Sequence, residues 1–277
     1  MPEQIDLSFA IGLSPEKAVE YFRAKGYTIS WDWYETWQEA NSYAFTVSKV
    51  TRLDILRDIK TELQKALDDG LTLQQFRKNL DPILQSKGWW GQGQTESGQV
   101  VQMGSPWRLQ LIYNQNIQSA YNAGRWEQQM ANADARPYLQ YVAVMDSVTR
   151  PAHARLDGLV FWANDPFWKT HYPPNGWGCR CSVRALSAAD VKRLGLTVIS
   201  SAGLLQENEV LASGRTGEVV PVTVFKFRNE QTGEIITMAP DPGFNYNPGM
   251  AAWKPDLSKY PPDLMDIYNR YLKENAV

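Results

Sequence analysis

The feature that most constrains the fold is the crowding of every cysteine and histidine into one short window. His153, His171, Cys179 and Cys181 all lie within residues 153–181 of this 277-residue chain. Cys179 and Cys181 are separated by a single residue, and side chains two residues apart on an extended chain point to the same side. If this stretch is extended, the two sulfur atoms therefore face one point in space.

These four side chains are suited to a metal ion. A disulfide across one intervening residue would be strained, because cystine needs particular Cα spacing and dihedral angles. Zinc takes four tetrahedral ligands from cysteine and histidine, so the sequence predicts a structural zinc site made by His153, His171, Cys179 and Cys181. The spacing is not that of the familiar C-x2-C and H-x3-H pairs. Two alternatives stay open: three ligands without His171, which adjoins a proline-rich turn, and buried free cysteines without an ion.

Composition and charge set limits on the kind of protein. Hydrophobic residues make up 43% of the chain and charged residues 21%, as in an ordinary soluble globular protein. The formal net charge of −2 creates no overall field that would attract nucleic acid or a membrane surface. The first residues lack a signal-peptide pattern and no apolar run is long enough to span a bilayer, so we expect a cytosolic chain without a membrane partner.

The first 90 residues predict a helical N-terminal region, arranged as a bundle. Four signals support this prediction: an N-cap at Ser14-Pro15, aromatic spacing over residues 32–45, an amphipathic leucine pattern ending at Gly70, and a Thr72–Gln75 capping box before a helix that Pro82 bends or ends. Residues 91–104 are rich in Gly, Gln and Ser, and they predict a linker or loop.

A long helix is predicted from Ser105-Pro106 to about Met130. Its polar face is predicted to be solvated or to bind a partner, and it comprises Asn114, Gln115, Gln118, Asn122 and Arg125.

The remainder predicts strands mixed with short helices. Strands are expected at residues 139–145 and 183–186, a capped helix at 187–194, a late β-hairpin at 222–227 with 234–238, an irregular turn at 240–249 and a helix at 262–272. Because helices come first and strands later, the predicted fold class is α+β. It consists of the helical bundle followed by a mixed α/β domain with a loop region stapled by the Cys/His cluster.

Two runs of the sequence resemble a known family. DSVTRPAHARLDGLVF at residues 146–161 and DPFWKTHYPPNGWGCRC at 165–181 are similar to the signature of the phage Mu protein F family, minor head proteins related to the SPP1 head morphogenesis protein. The fitting residues are Asp146, Thr149, Arg150, His153, Asp157, Gly158, Pro173, Pro174, Asn175, Trp177, Cys179, Arg180 and Cys181. FTVSKV, ALDDGLTLQQF, GWWG and GFNYNPG are also similar, so the resemblance covers most of the chain.

The resemblance implies a phage minor head protein that acts in head morphogenesis. It implies a Mu F-like domain at residues 105–250, followed by a tail at 251–277 with a short helix. The implied partners are the portal and other capsid proteins, with phage DNA during packaging or ejection as a further one. The implied location is the head or procapsid, and the host cytoplasm during assembly. Many relatives have C-x2-C where this chain has Arg150 and His153, so the fourth ligand is His171 or is missing.

The charged motif residues have two readings. The structural reading is that Asp146, Arg150 and Asp157 form buried ion pairs that hold the loop against the cysteine strand, and that the other motif positions support the ligands. Those positions are Thr149, Gly158, Asn175 and Arg180. The alternative function is a metal-dependent hydrolase or nuclease, with water on an open metal position and Asp146 or Asp157 as base. We favour the structural reading and expect no enzymatic activity.

A mild basic excess accompanies the motif. Residues 150–184 contain four arginines and one lysine against two aspartates. These residues are expected either to contact DNA phosphates or, more commonly, to form a solvated, ion-paired face.

Overall fold

The computed structural model describes residues 15–30, 40–94, 100–212, 217–229 and 233–252. Several predicted features lie outside these residues: the Ser14 cap, most of the 32–45 segment, the 262–272 helix and nearly all of the 251–277 tail. The described helices are α1 (Pro15–Ala24), α2 (Ala40–Tyr43), α3 (Leu53–Asp69), α4 (Leu73–Ser86), α5 (Pro106–Ala131), α6 (Pro151–Ala154), α7 (Phe167–His171), α8 (Ala188–Arg193) and α9 (Pro248–Ala252). The described strands are β1 (Gly26–Tyr27), β2 (Ala44–Phe45), β3 (Gln92–Gln94), β4 (Val100–Gln102), β5 (Tyr138–Val142), β6 (Val160–Trp162), β7 (Ser182–Leu186), β8 (Val198–Ile199), β9 (Leu205–Leu211), β10 (Val219–Arg228) and β11 (Ile235–Met238).

The first core is helical. α1, α3, α4 and the first half of α5 surround fully buried side chains that include Phe22, Leu56, Leu63, Phe76, Leu80, Leu84 and Leu109. α3 ends at Gly70, whose φ of 66° is favourable for glycine, and the capping box between Thr72 and Gln75 is present. Pro82 does not end α4, which continues to Ser86. The burial of Leu80 and Leu84 on either side of Pro82 outweighs the one hydrogen bond that the proline removes.

Residues 91–104, predicted to be a linker or loop, contain a short antiparallel pair. β3 pairs with β4 from Gln92 opposite Gln102 to Gln94 opposite Val100. The Arg108 guanidinium ties the pair to α5, because it donates hydrogen bonds to the carbonyls of Gln102, Met103 and Ser48. The polar composition made these strands hard to predict from the sequence, since only Val101 of β4 is buried.

The second core lies between two sheets. One has the order β7-β5-β6-β8 and the other the order β11-β10-β9. The predicted strands at 139–145 and 183–186 are confirmed as β5 and β7, and the predicted hairpin is confirmed by β10 paired with β11. The irregular turn at 240–249 is correct up to Asn247, but α9 begins at Pro248. The chain is therefore a mixed α/β protein of the α+β type.

Part of the predicted polar face of α5 is internal, which differs from a fully solvated face. Asn122 is only 2% exposed, whereas the other four residues of that face are half-buried. Gln129, later in α5, is 7% exposed. Gln118 donates from Nε2 to the Cys181 carbonyl at 3.1 Å, and Gln129 donates to the Val183 carbonyl at 2.8 Å. Helical spacing alone cannot distinguish a face that meets water from one that meets a strand edge.

Within the described residues, none of the helices combines the length and the apolarity that a membrane crossing requires.

Replacing Gln129 with leucine tests the contact between α5 and β7. The Gln129 amide donates to the Val183 carbonyl and accepts from the Tyr172 hydroxyl at 2.9 Å. Gln129→Leu leaves both groups buried without this partner, and each such loss costs roughly 1–3 kcal/mol. We expect the free energy of unfolding, measured by urea denaturation, to fall by about 2–4 kcal/mol. The control Gln128→Leu, at the half-buried neighbouring position, should change it by less than about 1 kcal/mol. Equal losses in both variants would contradict this role of Gln129.

Candidate metal centre

Three side chains with metal-ligand chemistry meet where β7 begins. Cys179 and Cys181 precede β7, and His153 lies on the one-turn helix α6. The ligand atoms of these three residues lie within 4.8 Å of one another, and all three side chains are buried. The Sγ of Cys181 is 3.8 Å from the Nδ1 of His153. A tetrahedral zinc ion, at about 2.3 Å from sulfur and about 2.0 Å from nitrogen, holds such atoms roughly 3.6 Å apart. The three residues therefore fit a zinc ion.

The two thiols influence each other strongly. A hydrogen bond from Cys181 holds the pKa of Cys179 well below its usual range, despite the opposing effect of burial. The same contact raises the pKa of Cys181, and burial raises it further. Protonation of one thiol thus stabilises the other as a thiolate. A divalent cation would replace that proton and stabilise both thiolates, because metal ligands bind in their deprotonated forms.

Asn175 and Tyr141 lie beside the two cysteines. The Tyr141 hydroxyl donates to the Asn175 Oδ1 at 2.9 Å, and both side chains are fully buried. The Asn175 carbonyl accepts from the backbone N–H of Asp241 at 2.9 Å. Burial raises the pKa of Tyr141 well above its usual value, so its hydroxyl stays protonated as a donor. Asn175 thereby fixes the proline-rich turn that precedes the cysteine pair in the sequence.

Asp146 fixes the loop that precedes α6. Its Oδ1 accepts hydrogen bonds from Arg180 Nη2 at 2.6 Å, from Thr149 Oγ1 at 2.9 Å and from the Val148 N–H at 3.2 Å. The hydrogen bond from Arg180 holds the pKa of Asp146 well below its usual range. Since Arg180 stands between the two cysteines, this pair joins the loop to the cysteine segment.

Arg150 and Asp157 do not pair with each other. Arg150 pairs with Asp241 at 2.6 Å and donates to the Trp177 carbonyl at 2.9 Å. The Oδ1 of Asp157 accepts from the Ala143 N–H at 2.8 Å, which is a backbone contact and not the predicted ion pair. Gly158 follows with a φ of 81°, a conformation that favours glycine.

The structure does not bring His171 together with the other three predicted ligands. Its ring is fully buried and stacks on Phe167 with 4.7 Å between ring centroids. The Nδ1 is 2.9 Å from the Thr170 hydroxyl, and the Nε2 is 3.3 Å from the Met238 carbonyl. Burial lowers the pKa of His171 to about 4, so the ring is neutral at neutral pH. The helix α7 turns this side chain towards the β10–β11 hairpin, which differs from the four-ligand prediction.

Two residues of the site were missed in the sequence. Tyr141 carried a detectable signal, since it lies within a predicted strand next to the motif. Asp241 carried none, because 91 residues separate it from its partner Arg150.

Comparison with known proteins shows which proteins the chain is similar to. Residues 57–184, which contain all three clustered side chains, match the family described as Phage Mu protein F like protein. The whole chain is 47% identical to "Putative capsid assembly protein F" of Escherichia phage Mu. The chain is thus similar to Mu protein F-like proteins over its whole length. Over 90% of its length it is also 41% identical to the Mu-like prophage FluMu F protein of Haemophilus influenzae. No solved structure matches the chain.

The extent of these matches matters for what they imply. The chain spans 64% of the length of the phage Mu relative and 59% of that of the Haemophilus influenzae relative. The family match begins within α3 and ends within β7, so it crosses the predicted domain boundary at residue 105. The division of the chain at that residue stays a prediction.

Substitutions of the two histidines should have opposite effects on the metal content of the chain. We expect the purified chain to contain one zinc ion and His153→Gln to lose it, because Nδ1 of His153 lies beside the cysteine sulfurs. His171→Gln should keep the ion, since His171 contacts Thr170 and Met238 instead. Elemental analysis by mass spectrometry measures both. Zinc that is lost with His171→Gln and kept with His153→Gln would contradict this ligand set.

Proposed function

We propose that this protein is a phage head protein that acts in capsid assembly. The observation that carries the proposal is the 47% identity, over the whole of this chain, to a relative named for capsid assembly. The family match adds support, because it includes the motif built around the cysteine cluster. Its working location is then the phage head or procapsid, reached from the host cytoplasm during assembly.

The proposed partners are the portal and other capsid proteins. Exposed large apolar side chains support contacts with other proteins, since interfaces are rich in aromatic residues and methionine. Trp107 is 69% exposed, Met145 66% and Val148 72%. Met145 and Val148 lie on the loop that Asp146 fixes to the cysteine segment. This rigid loop is the part of the surface that we assign to partner contacts.

Contact with phage DNA has less support on the motif face. Of its four arginines, three pair with carboxylates from outside residues 150–184. These pairs are Arg150–Asp241, Arg155–Glu234 and Arg180–Asp146. Because the pairs neutralise most of the local positive charge, the ion-paired face predicted as the commoner case is the better account. A role in packaging or ejection would then proceed through protein partners.

We propose that the metal site supports this function by holding two segments of the chain together, and we call it a structural staple. Cys179, Cys181 and His153 come from two chain segments that pack against each other, and zinc is the metal that this set of sulfur and nitrogen donors favours. An ion bound by all three residues would join α6 to the start of β7. It would thereby fix the exposed loop that precedes α6.

The structure favours this staple over a hydrolase. The two carboxylates considered as a general base already have partners, because Asp146 is paired with Arg180 and Asp157 accepts from the Ala143 N–H. A general base needs access to the proton that it removes. The cavity beside the cysteines is small, with a volume of about 80 Å³. We therefore propose a protein without catalytic activity.

A chimera of the phage Mu relative tests the assembly function. The segment of that relative that matches this chain would be replaced by the chain, and the phage would be scored for plaques and for filled heads by electron microscopy. We expect the chimera to restore both, compared with a phage deleted for the segment. Restoration should fail with a Cys179→Ser and Cys181→Ser double variant, because the staple is lost.

The control for the double variant is Ala131→Ser with Ala135→Ser, which also introduces two serines, at exposed positions, and leaves the cysteines intact. This control should restore plaques. Filled heads in normal number from the deleted phage would contradict a role in head assembly.

A further inference from the structure

The three clustered side chains leave one position of a tetrahedral metal without a protein ligand. In the described part of the chain, His153, Cys179 and Cys181 are the group of metal-binding side chains found together. The chain has no other cysteine, and its second histidine is buried against Phe167 and Phe225. A structural zinc site fills all four positions with protein atoms, whereas a three-ligand site leaves one for an external ligand.

A small cavity lies where that position would open. It has a volume of about 80 Å³, and its walls include all three candidate ligands. The remaining walls come from the loop before α6 and from the turn before Cys179. Val148, which is 72% exposed, and Trp177, which is 40% exposed, belong to these walls, so the cavity is at the surface. A metal held by the three side chains would therefore be within reach of solvent on this side.

We propose that the metal centre carries an exchangeable fourth ligand in this cavity, a water molecule or a small anion. The inference rests on the metal site proposed above. The cavity volume of about 80 Å³ has room for a water molecule or a small anion. The site is thus a structural centre with one open position.

The charges around the cavity allow a small anion to compete with water. Two thiolates neutralise a divalent ion, and Arg150 and Arg180 line the cavity. Each guanidinium is held by a carboxylate, Asp241 and Asp146 respectively, so these formal charges sum to zero and an anion meets no net negative charge. Azide is a suitable probe because it is anionic, narrow and able to bind a metal through one nitrogen.

A substitution at Arg150 can fill the open metal position with a side chain of the protein itself. Arg150 is the N-cap residue of α6 and lies three residues before His153. Both residues line the cavity. A cysteine at position 150 would thus face the open position. Arg155, at the other end of α6, pairs with Glu234 and is not among the cavity walls.

The experiment uses cobalt(II) in place of zinc, since its visible absorption reports the ligands of the metal. Azide is titrated into the cobalt-loaded chain, and we expect a saturable shift of the absorption bands with one azide bound per metal. Infrared spectra of the same samples should show the azide stretch displaced from its position in free azide. Arg150→Cys should abolish both responses and add sulfur-to-metal absorption, because a third thiolate fills the position. The matched control Arg155→Cys should respond to azide as the unmodified chain does.

Each other outcome overturns the inference in a distinguishable way. Cobalt bound without any response to azide shows a fourth protein ligand, which overturns the open position and leaves the staple intact. An azide response that is unchanged in Arg150→Cys overturns its assignment to this cavity. Failure to bind cobalt or zinc overturns the metal staple itself, and the open position with it. The infrared measurement on the unmodified chain decides the matter if the Arg150→Cys chain does not fold.

Discussion

The outer edge of β7 is the constraint on which the rest of the structure depends. β7 is the last strand of its sheet, and an edge strand presents backbone groups that need hydrogen-bond partners. Gln118 and Gln129 of α5 provide them, because they donate to the carbonyls of Cys181 and Val183. α5 also contributes Leu109, Tyr113 and Ile117 to the helical core. One helix thus fixes both the N-terminal core and the strand that follows the cysteines.

The geometry of the candidate metal centre follows from this placement. With β7 held between α5 and β5, Cys181 is fixed beside the buried Tyr141, and the cysteine pair can face His153. Two ion pairs close the surface around the cluster, Arg180–Asp146 and Arg150–Asp241. Each alone contributes little at a partly exposed site, but together they join three chain segments around the cysteines. A bound metal would add the strongest link to this arrangement.

Local signals in the sequence were sufficient for elements that depend on local interactions. The capping box at Thr72–Gln75, the long helix α5 and the β10–β11 hairpin were each predictable from spacing and turn residues. Of the metal centre, Cys179, Cys181 and His153 could be identified by residue type and proximity in the chain. The position of His171 could not, because the packing of α7 on Phe225 directs its ring away from the cysteines. Nor could the burial of Gln129 on α5, which depends on a strand more than 50 residues further along the chain.

The central claim is that these three residues hold a zinc ion between α6 and β7. Anomalous X-ray diffraction from a crystal of the zinc-loaded chain, at wavelengths above and below the zinc absorption edge, tests it most directly. We expect one strong peak, bonded to the Sγ atoms of Cys179 and Cys181 and to Nδ1 of His153, with its fourth side towards Trp177. A peak bonded to His171, or no peak within bonding distance of the cysteines, would contradict it.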